Sequence, residues 1–397
     1  MKKTAVLLLV LLLSLSVLSA YDAYGDWSNY EEGYEEIGKR FESVSVRMKG
    51  MGGTGLAVTD PSYGFFVNPA SLGDGALSLS LPSVSFTLYH FNEAIKRNGS
   101  GESLIEILIR KEWSNEELYS SILTVAGTEP APLVRADAYT SFVTPYGLGL
   151  GIYASDTVFS YSGSLINESD FSFTLGYGHA FTFGDFTLKG GVSTRFNYLV
   201  FSNRIKAADF TKGNIWKNTF SFAYGWALPV TDIGIKGEWK GLSAAAVLSN
   251  LFSSYHMGVQ NSTIKESVTK ISDIDYTLFT LENRPQLNVG LAYEHSFGDF
   301  NMTAALDFDD ILNAWTDDEY YSSTGRKALK RLHFGLEAGW KDIAQLRVGI
   351  SSGYFSAGSK IEYFGLTIES AYYWEEKGND AGERGLDGLS VRFNLGL

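Results

Sequence analysis

The side chains that most often carry catalysis or bind metals are sparse and scattered in this chain: five histidines, His90, His179, His256, His295 and His333, and no cysteine at all. A metal centre draws its ligands from short, fixed spacings, such as two histidines one helical turn apart. None of the five stands at such a spacing, and no serine, histidine and acid form a recognisable nucleophile motif. No metal, no cofactor and no enzymatic activity are therefore expected. One formal match remains, because Gly50, Gly52 and Gly55 fit G-x-G-x-x-G. That pattern cradles a pyrophosphate where a strand leads into it and a helix leaves it. Here no strand precedes it and Pro61 interrupts any following helix, so these glycines need another explanation.

The elements around them begin with an export signal. Lys2 and Lys3, an apolar run over 5–18 and Val17-Leu18-Ser19-Ala20 read as a signal peptide over 1–20. The run is shorter than the roughly 20 residues a spanning helix needs. Without cysteine the mature chain is neither lipid-anchored at an N-terminal thiol nor disulfide-stapled. The net charge is −13, with Lys and Arg clustered nowhere, which argues against nucleic acid as a partner. Residues 21–46 form an acidic, tyrosine-rich arm containing Glu31, Glu32, Glu35 and Glu36, read as a solvated segment.

The 26 phenylalanines, 23 tyrosines and 42 glycines, against 8 prolines, favour strands and turns. Over 171–183 large residues (Phe171, Phe173, Leu175, Tyr177, His179, Phe181, Phe183) alternate with small or polar ones (Ser172, Thr174, Gly176, Gly178, Ala180, Thr182). That is period two, and it recurs to the end of the chain. A soluble sandwich would bury the large phase, whereas a membrane barrel would turn it to lipid and keep the charges in a wet lumen. Connection lengths decide between them. About fourteen strands are joined by alternating tight turns and long loops, as in an outer-membrane barrel. The sixth connection, 229–240, reads as medium and the eleventh as short. Segment 92–132 reads as helical, with Leu104, Ile105, Leu108 and Ile109 on one face, a capping box at Ser114 and Glu117, and Leu118, Tyr119, Ile122 and Leu123 on a second face. The expected fold is all-β: a transmembrane antiparallel β-barrel of about fourteen strands over 76–397, with a helical extracellular insertion over 92–132.

Gly52-Gly53-Thr54-Gly55-Leu56-Ala57-Val58-Thr59-Asp60, continued by Phe66-Val67-Asn68-Pro69-Ala70-Ser71-Leu72, resembles the N-terminal hatch of the FadL family of outer-membrane long-chain fatty-acid transporters, including its Asn-Pro-Ala motif. The tail over 339–394 is similar to the closing strands of that family and of its PorV-like relatives, and the length and leader suit a spirochaetal branch. The resemblance implies a fourteen-stranded barrel plugged by a hatch over 47–75, with Gly52, Gly53, Gly55, Asn68, Pro69 and Ala70 as the hatch and ligand positions. It also implies capture of hydrophobic molecules outside, an apolar pocket, and sideways release through a kink in the third strand.

That strand carries an anomaly. Its apolar phase runs Leu148, Leu150, Ile152, Ala154 and then Asp156, which predicts a kink or lumenward turn at Ala154, Ser155, Asp156 and Thr157, or else a position for Asp156 above the membrane at the outer rim. In the Asn-Pro-Ala motif proline restricts the backbone, the asparagine amide can cap backbone groups and alanine allows close packing. Lys189 and Arg195, on the lumenal phase, are the candidate partners of a fatty-acid carboxylate, unless they pair with Glu294, Glu337 or Glu369. The expected role is a monomeric outer-membrane transporter of long-chain fatty acids or other hydrophobic small molecules, in contact with outer-membrane lipid. The alternative is a non-transport barrel serving as a surface or scaffold protein. An aqueous porin would lack the hatch. The chain closes on Leu397 rather than on an aromatic residue, a departure from the usual barrel ending, although Phe393 shares the apolar phase.

Overall fold

The computed structural model describes residues 45–395, except 59–62, 76, 97–102, 111–114, 127–130, 162–163, 203–219, 263–273, 277–278, 283, 314–327, 342 and 379–380. The expected leader and nearly all of the acidic arm lie outside the described residues. Sixteen strand segments follow: β1 (Ser78–Tyr89), β2 (Ala131–Val143), β3 (Leu148–Tyr161), β4 (Ser164–Phe183), β5 (Phe186–Ser202), β6 (Phe220–Trp239), β7 (Leu242–Leu251), β8 (Ser254–Ser262), β9 (Phe279–Glu282), β10 (Gln286–Phe297), β11 (Phe300–Phe308), β12 (Leu332–Trp340), β13 (Ala344–Ser351), β14 (Tyr354–Tyr363), β15 (Leu366–Glu376) and β16 (Gly385–Leu395). Each pairs antiparallel with its neighbours, β1 meets β16, and β5 meets β6, so the sheet closes on itself. Segments β7 and β8 succeed one another along β6, and β9 and β10 succeed one another along β8 and β7. Counted as wall strands, each of these two pairs is one, and the barrel has fourteen.

The period-two pattern decides what faces where. Leu175, Phe181, Ile235, Leu291, Phe300, Leu346 and Ile361 project outward and stay 47–70% exposed, while Ser172, Thr174, Arg195, Asp307, Glu337 and Arg392 project inward and are buried. An uncovered apolar band of this extent is stable against hydrocarbon, and closure leaves no sheet edge with unpaired backbone groups. The tight turns after β2, β4, β6, β10, β12 and β14 gather at one end, here the lower one, together with the start of β1 and the end of β16, while the short Ser352-Gly353 turn between β13 and β14 lies at the upper end. At Gly184-Asp185 and Gly298-Asp299 the glycines have φ +63° and +67°, as a II′ hairpin with glycine first requires.

Three boundaries differ from the expectation. Segment 229–240 is no connection: β6 runs on to Trp239 and turns at Lys240-Gly241. Pro229 lies where β6 bulges against β5, a place that asks for no N–H from it. Strand β4 starts at Ser164, six residues earlier than expected, which shortens the third connection. In the insertion, three helices form, α3 (Phe91–Ile95), α4 (Leu104–Ile109) and α5 (Asn115–Ala126), counting α1 and α2 in the segment before β1. A capping box forms at Ser103 and Glu106, and the one expected at Ser114 and Glu117 rests on Ser114, which lies outside the described residues.

These helices lie against the outward face of the barrel. Leu88, Val134 and Val158 form a cross-strand row on that face, and Ala94, Leu104, Leu118, Tyr119, Ile122 and Leu123 pack around it. On the neighbouring arc Ile274 and Tyr276 fold back over Phe222, Tyr224, Tyr198 and Val200. The upper wall is therefore double-layered along β1 to β8.

Candidate functional site

The lumen holds residues 45–58 and 63–75. Helix α1 (Val46–Gly50) is capped by Ser45, whose side chain accepts from the Met48 N–H, and it packs in the upper lumen beside β13 to β16. The chain then crosses to the β10–β12 side. It continues through α2 (Gly64–Val67) to a 3-10 helix, Pro69–Asp74, against β4, β5 and β6 near the lower end. It thus descends the lumen before entering β1 from below.

Glycines of the wall make this fit possible. A Cβ on Gly191 would stand 2.1 Å from the Pro69 carbonyl oxygen, and one on Gly349 would stand 2.2 Å from the Gly52 nitrogen. Gly151, Gly178, Gly234, Gly290, Gly335 and Gly358 likewise face residues of this segment at van der Waals contact or closer. Gly52 itself has φ +67° and passes against the backbone of Ile350, which no larger residue would permit. Apolar packing completes the seat: Met48, Tyr63, Phe65, Phe66 and Leu72 against Tyr139, Val143 and Tyr153, and Met51, Leu56, Ala57 and Val58 against Ala245, Val247, Ala292 and Ala305.

Polar contacts pin the segment at defined heights. The Asn68 amide donates to the Leu56 carbonyl at 3.1 Å and accepts from the Ala70 N–H at 3.0 Å, stapling two stretches together. Pro69 opens the 3-10 helix and Ala70 is fully buried. The Asp307 carboxylate accepts from the Gly55 and Leu56 N–H groups at 2.6 and 3.0 Å. Arg47 forks onto Glu337 at 2.7 and 3.0 Å. Glu337 also holds Arg347 at 2.7 Å, Arg347 reaches Glu369 at 2.8 Å, and Glu369 meets Arg392 at 2.8 Å. Arg392 ends the series by donating to the Tyr139 hydroxyl at 2.7 Å. Lys49 donates to Thr87 and Ser390 at 3.2 and 3.1 Å.

Lys189 and Arg195 do project into the lumen, but their partners differ from those the sequence suggested. Lys189 pairs with Asp74 and, at 2.7 Å, with Glu238; Arg195 pairs with Asp232 at 3.2 Å and donates to Asn250. Hairpin register explains the change: Lys189 and Arg195 on β5 face β6, whereas Glu294, Glu337 and Glu369 belong to β10, β12 and β15. Among the described residues no three His, Cys, Asp or Glu side chains gather as a metal site.

Above Arg195 the inward face changes character. Leu199, Phe201, Ala223, Ala227, Val230, Tyr255 and Met257, with Val259 beside them, form an apolar patch on β5, β6 and β8 that includes no residue of the 45–75 segment. Its lower margin is polar, where Asn197 donates to the Tyr255 hydroxyl at 2.9 Å.

At that margin the wall is interrupted. The β5–β6 register shifts between Arg195 and Asn197, and the β6–β7 register between Thr231 and Ile233. Segment β7 ends at Leu251 and β8 resumes at Ser254, while β9 ends at Glu282 and β10 begins at Gln286. The ladders that join these four adjacent wall strands shift or break at one height, while β5 stays paired to β4, and Leu228 and Phe252 stand 54% and 78% exposed there on the outside. Strand β3 behaves otherwise. Ala154, Ser155, Asp156 and Thr157 pair without a break to both β2 and β4. Asp156 points outward, just below the row the helices cover, and accepts from Ser169 and Asn167 at 2.6 and 2.9 Å. A carboxylate on the outward phase is thus provided for by neighbouring donors, with its strand still fully paired.

No protein-family model matches the chain, and no curated protein matches it. Solved barrels are similar at low identity. A deletion mutant of the monoaromatic hydrocarbon channel TodX is 11% identical, with TM-score 0.46, over 90% of this chain and 99% of that one. The toluene transporter TbuX of Ralstonia pickettii is 12% identical, with TM-score 0.42, over 89% and 98%. The translocator domain of the autotransporter NalP from Neisseria meningitidis is 12% identical, with TM-score 0.39, over 92% and 96%.

Proposed function

We propose that this chain is an outer-membrane transporter of hydrophobic small molecules, long-chain fatty acids among them, in which residues 45–75 serve as the hatch and release is sideways. The observation that carries the reading is the apolar inward patch on β5, β6 and β8 lying directly beside the interrupted stretch of wall. The inward phase of a barrel is ordinarily polar, and apolar lining there suits an apolar ligand. Arg195 and Asn197, at its lower margin, are the groups able to meet a polar head. Sideways release at the seam of β5 to β10 is supported by the position of the patch, because a ligand leaving there exchanges one apolar surface for lipid without crossing the filled lower lumen. Gly52, Gly53, Gly55, Asn68, Pro69 and Ala70 act as hatch positions through the close contacts they make with the wall.

The absence of cysteine makes the test direct. Cross-strand partners sit at a separation a disulfide can bridge. Ser249→Cys with Gln286→Cys ties β7 to β10 at the edge of the seam; Ala154→Cys with Phe171→Cys ties β3 to β4 where the sequence suggested an exit. In liposomes loaded with a fatty-acid-binding dye, oxidation should stop uptake of labelled oleate in the first pair, restorably by reductant, and leave it intact in the second. The reverse pattern moves the exit to β3. No uptake in any form rejects transport. The alternative, a non-transport surface or scaffold barrel, draws support from the ion series that holds Arg47, and it expects no uptake together with a co-purifying protein.

A further inference from the structure

The glycine turn at the top of the hatch is gripped by a histidine whose two nitrogens both face acceptors. His333, near the upper end of β12, has Nδ1 2.8 Å from the Gly52 carbonyl oxygen and 2.9 Å from Ser351 Oγ, and Nε2 2.8 Å from the Asp309 carboxylate. A carbonyl and a carboxylate only accept. A neutral imidazole has one N–H, so one of the two contacts would oppose lone pair to lone pair; only the imidazolium donates to both. Ser351 can donate to a bare Nδ1, but the Gly52 carbonyl then loses its donor. A Cβ on Gly53 would lie 2.7 Å from Nδ1, so ring and hatch touch directly.

The charges around this ring are carboxylates or closed pairs. From β11 and the residues after it come Asp307, occupied by the Gly55 and Leu56 N–H groups, Asp309 on the ring itself, and Asp310, paired with Arg331 at 2.6 Å. Arg331 precedes β12 above the ring, and β12 brings Glu337 below, which holds Arg47 of the hatch. Strand β13 brings the neutral Ser351, with Arg347 lower down on Glu337.

We infer that His333 is a proton-operated latch on the hatch: charged, it ties the Gly52 carbonyl to Asp309 and holds the glycine turn; neutral, it lets that turn go. Imidazole is the side chain whose ordinary charge change falls between pH 5 and 8, so the latch operates across conditions a cell surface meets. The inference rests on reading 45–75 as a hatch, and it adds regulation to that reading.

Amide hydrogen exchange of peptides covering 52–58, in the full chain and normalised to an unstructured reference, tests it. Protection should fall about tenfold, the scale of one charge-assisted hydrogen bond, between about pH 5.5 and about pH 8.5. His333→Arg should keep the low-pH protection throughout, and His333→Gln should show the high-pH level throughout. Flat protection in the unmodified chain, or a His333→Gln protein that titrates like it, overturns the latch. Should the His333 variants misfold, Asp309→Asn decides: the midpoint should move to lower pH, and an unmoved midpoint overturns the proposal. Oleate uptake over the same range separates the two readings. Protection that titrates with no uptake at any pH rejects transport and leaves the latch standing, while uptake with flat protection rejects the latch alone.

Discussion

The two flanks of the lumen are built from opposite materials. Along β12, β13, β15, β16 and β2 the inward positions are Glu337, Arg347, Glu369, Arg392 and Tyr139, joined end to end and reaching Arg47. Along β5, β6 and β8 they are Leu199, Phe201, Ala223, Met257 and their neighbours. Charges in a confined space are directional, because each oxygen and each N–H must find its partner, so the first flank sets where α1 sits. Apolar packing tolerates sliding and exchange, so the second flank can accept different occupants without breaking a bond. The lumen thus has one flank fixed by ion pairs and one lined by apolar side chains.

The hardest blow to this division is Glu337→Ala. It strips Arg47 and Arg347 of their common carboxylate and leaves Glu369 as the carboxylate paired with Arg347, at a cost of about 3–5 kcal/mol. Thermal unfolding in detergent should drop, and protease should cut within 45–58; an unchanged melting point would mean the ion series holds nothing. Next comes Gly349→Val, which intrudes on the Gly52 backbone and should cost about 1–3 kcal/mol while raising single-channel conductance in a planar bilayer. Conductance equal to the parent's would show that the wall can yield at this point. On the apolar flank, Val259→Ala should cost only about 1 kcal/mol of stability yet weaken oleate binding several-fold, as read by fluorescence displacement. The mildest change is Leu228→Ser on the outside of the seam, where stability should shift by less than about 1 kcal/mol and uptake rate alone should respond. If binding falls and rate does not, Leu228 belongs to the pocket and not to the exit.

Much of the wall was legible in the sequence, because period two forces a choice of side at every residue. Phe181, Leu291 and Phe300 could only be outward once Arg195, Asp307 and Glu337 were inward. Charged inward positions were therefore readable one by one, but their partners were not. Whether Lys189 meets Glu238 or Glu294 depends on which strand lies next door and at what register, information the alternation does not contain. The seam stayed hidden for a related reason. The stretch 229–240 read as a connection, and only the pairing of the neighbouring strands shows the wall continuing through it. Asp307 fell on the polar phase and His333 stood only as one of five scattered histidines, and the task of both depends on carbonyl and N–H groups of a segment some 250 to 280 positions away in the chain.

The descent of residues 45–75 through the lumen and directly into the base of β1 sets an order of events during assembly. Strand β1 is the one that meets β16 and seals the cylinder. The wall glycines lie in such tight contact with this segment that it has little room to be drawn in afterwards. The ring must close around an interior already threaded, which makes the joining of first strand to last the final, longest-range step of folding. Any machinery that inserts this protein has to keep β1 and β16 apart until the inside is packed.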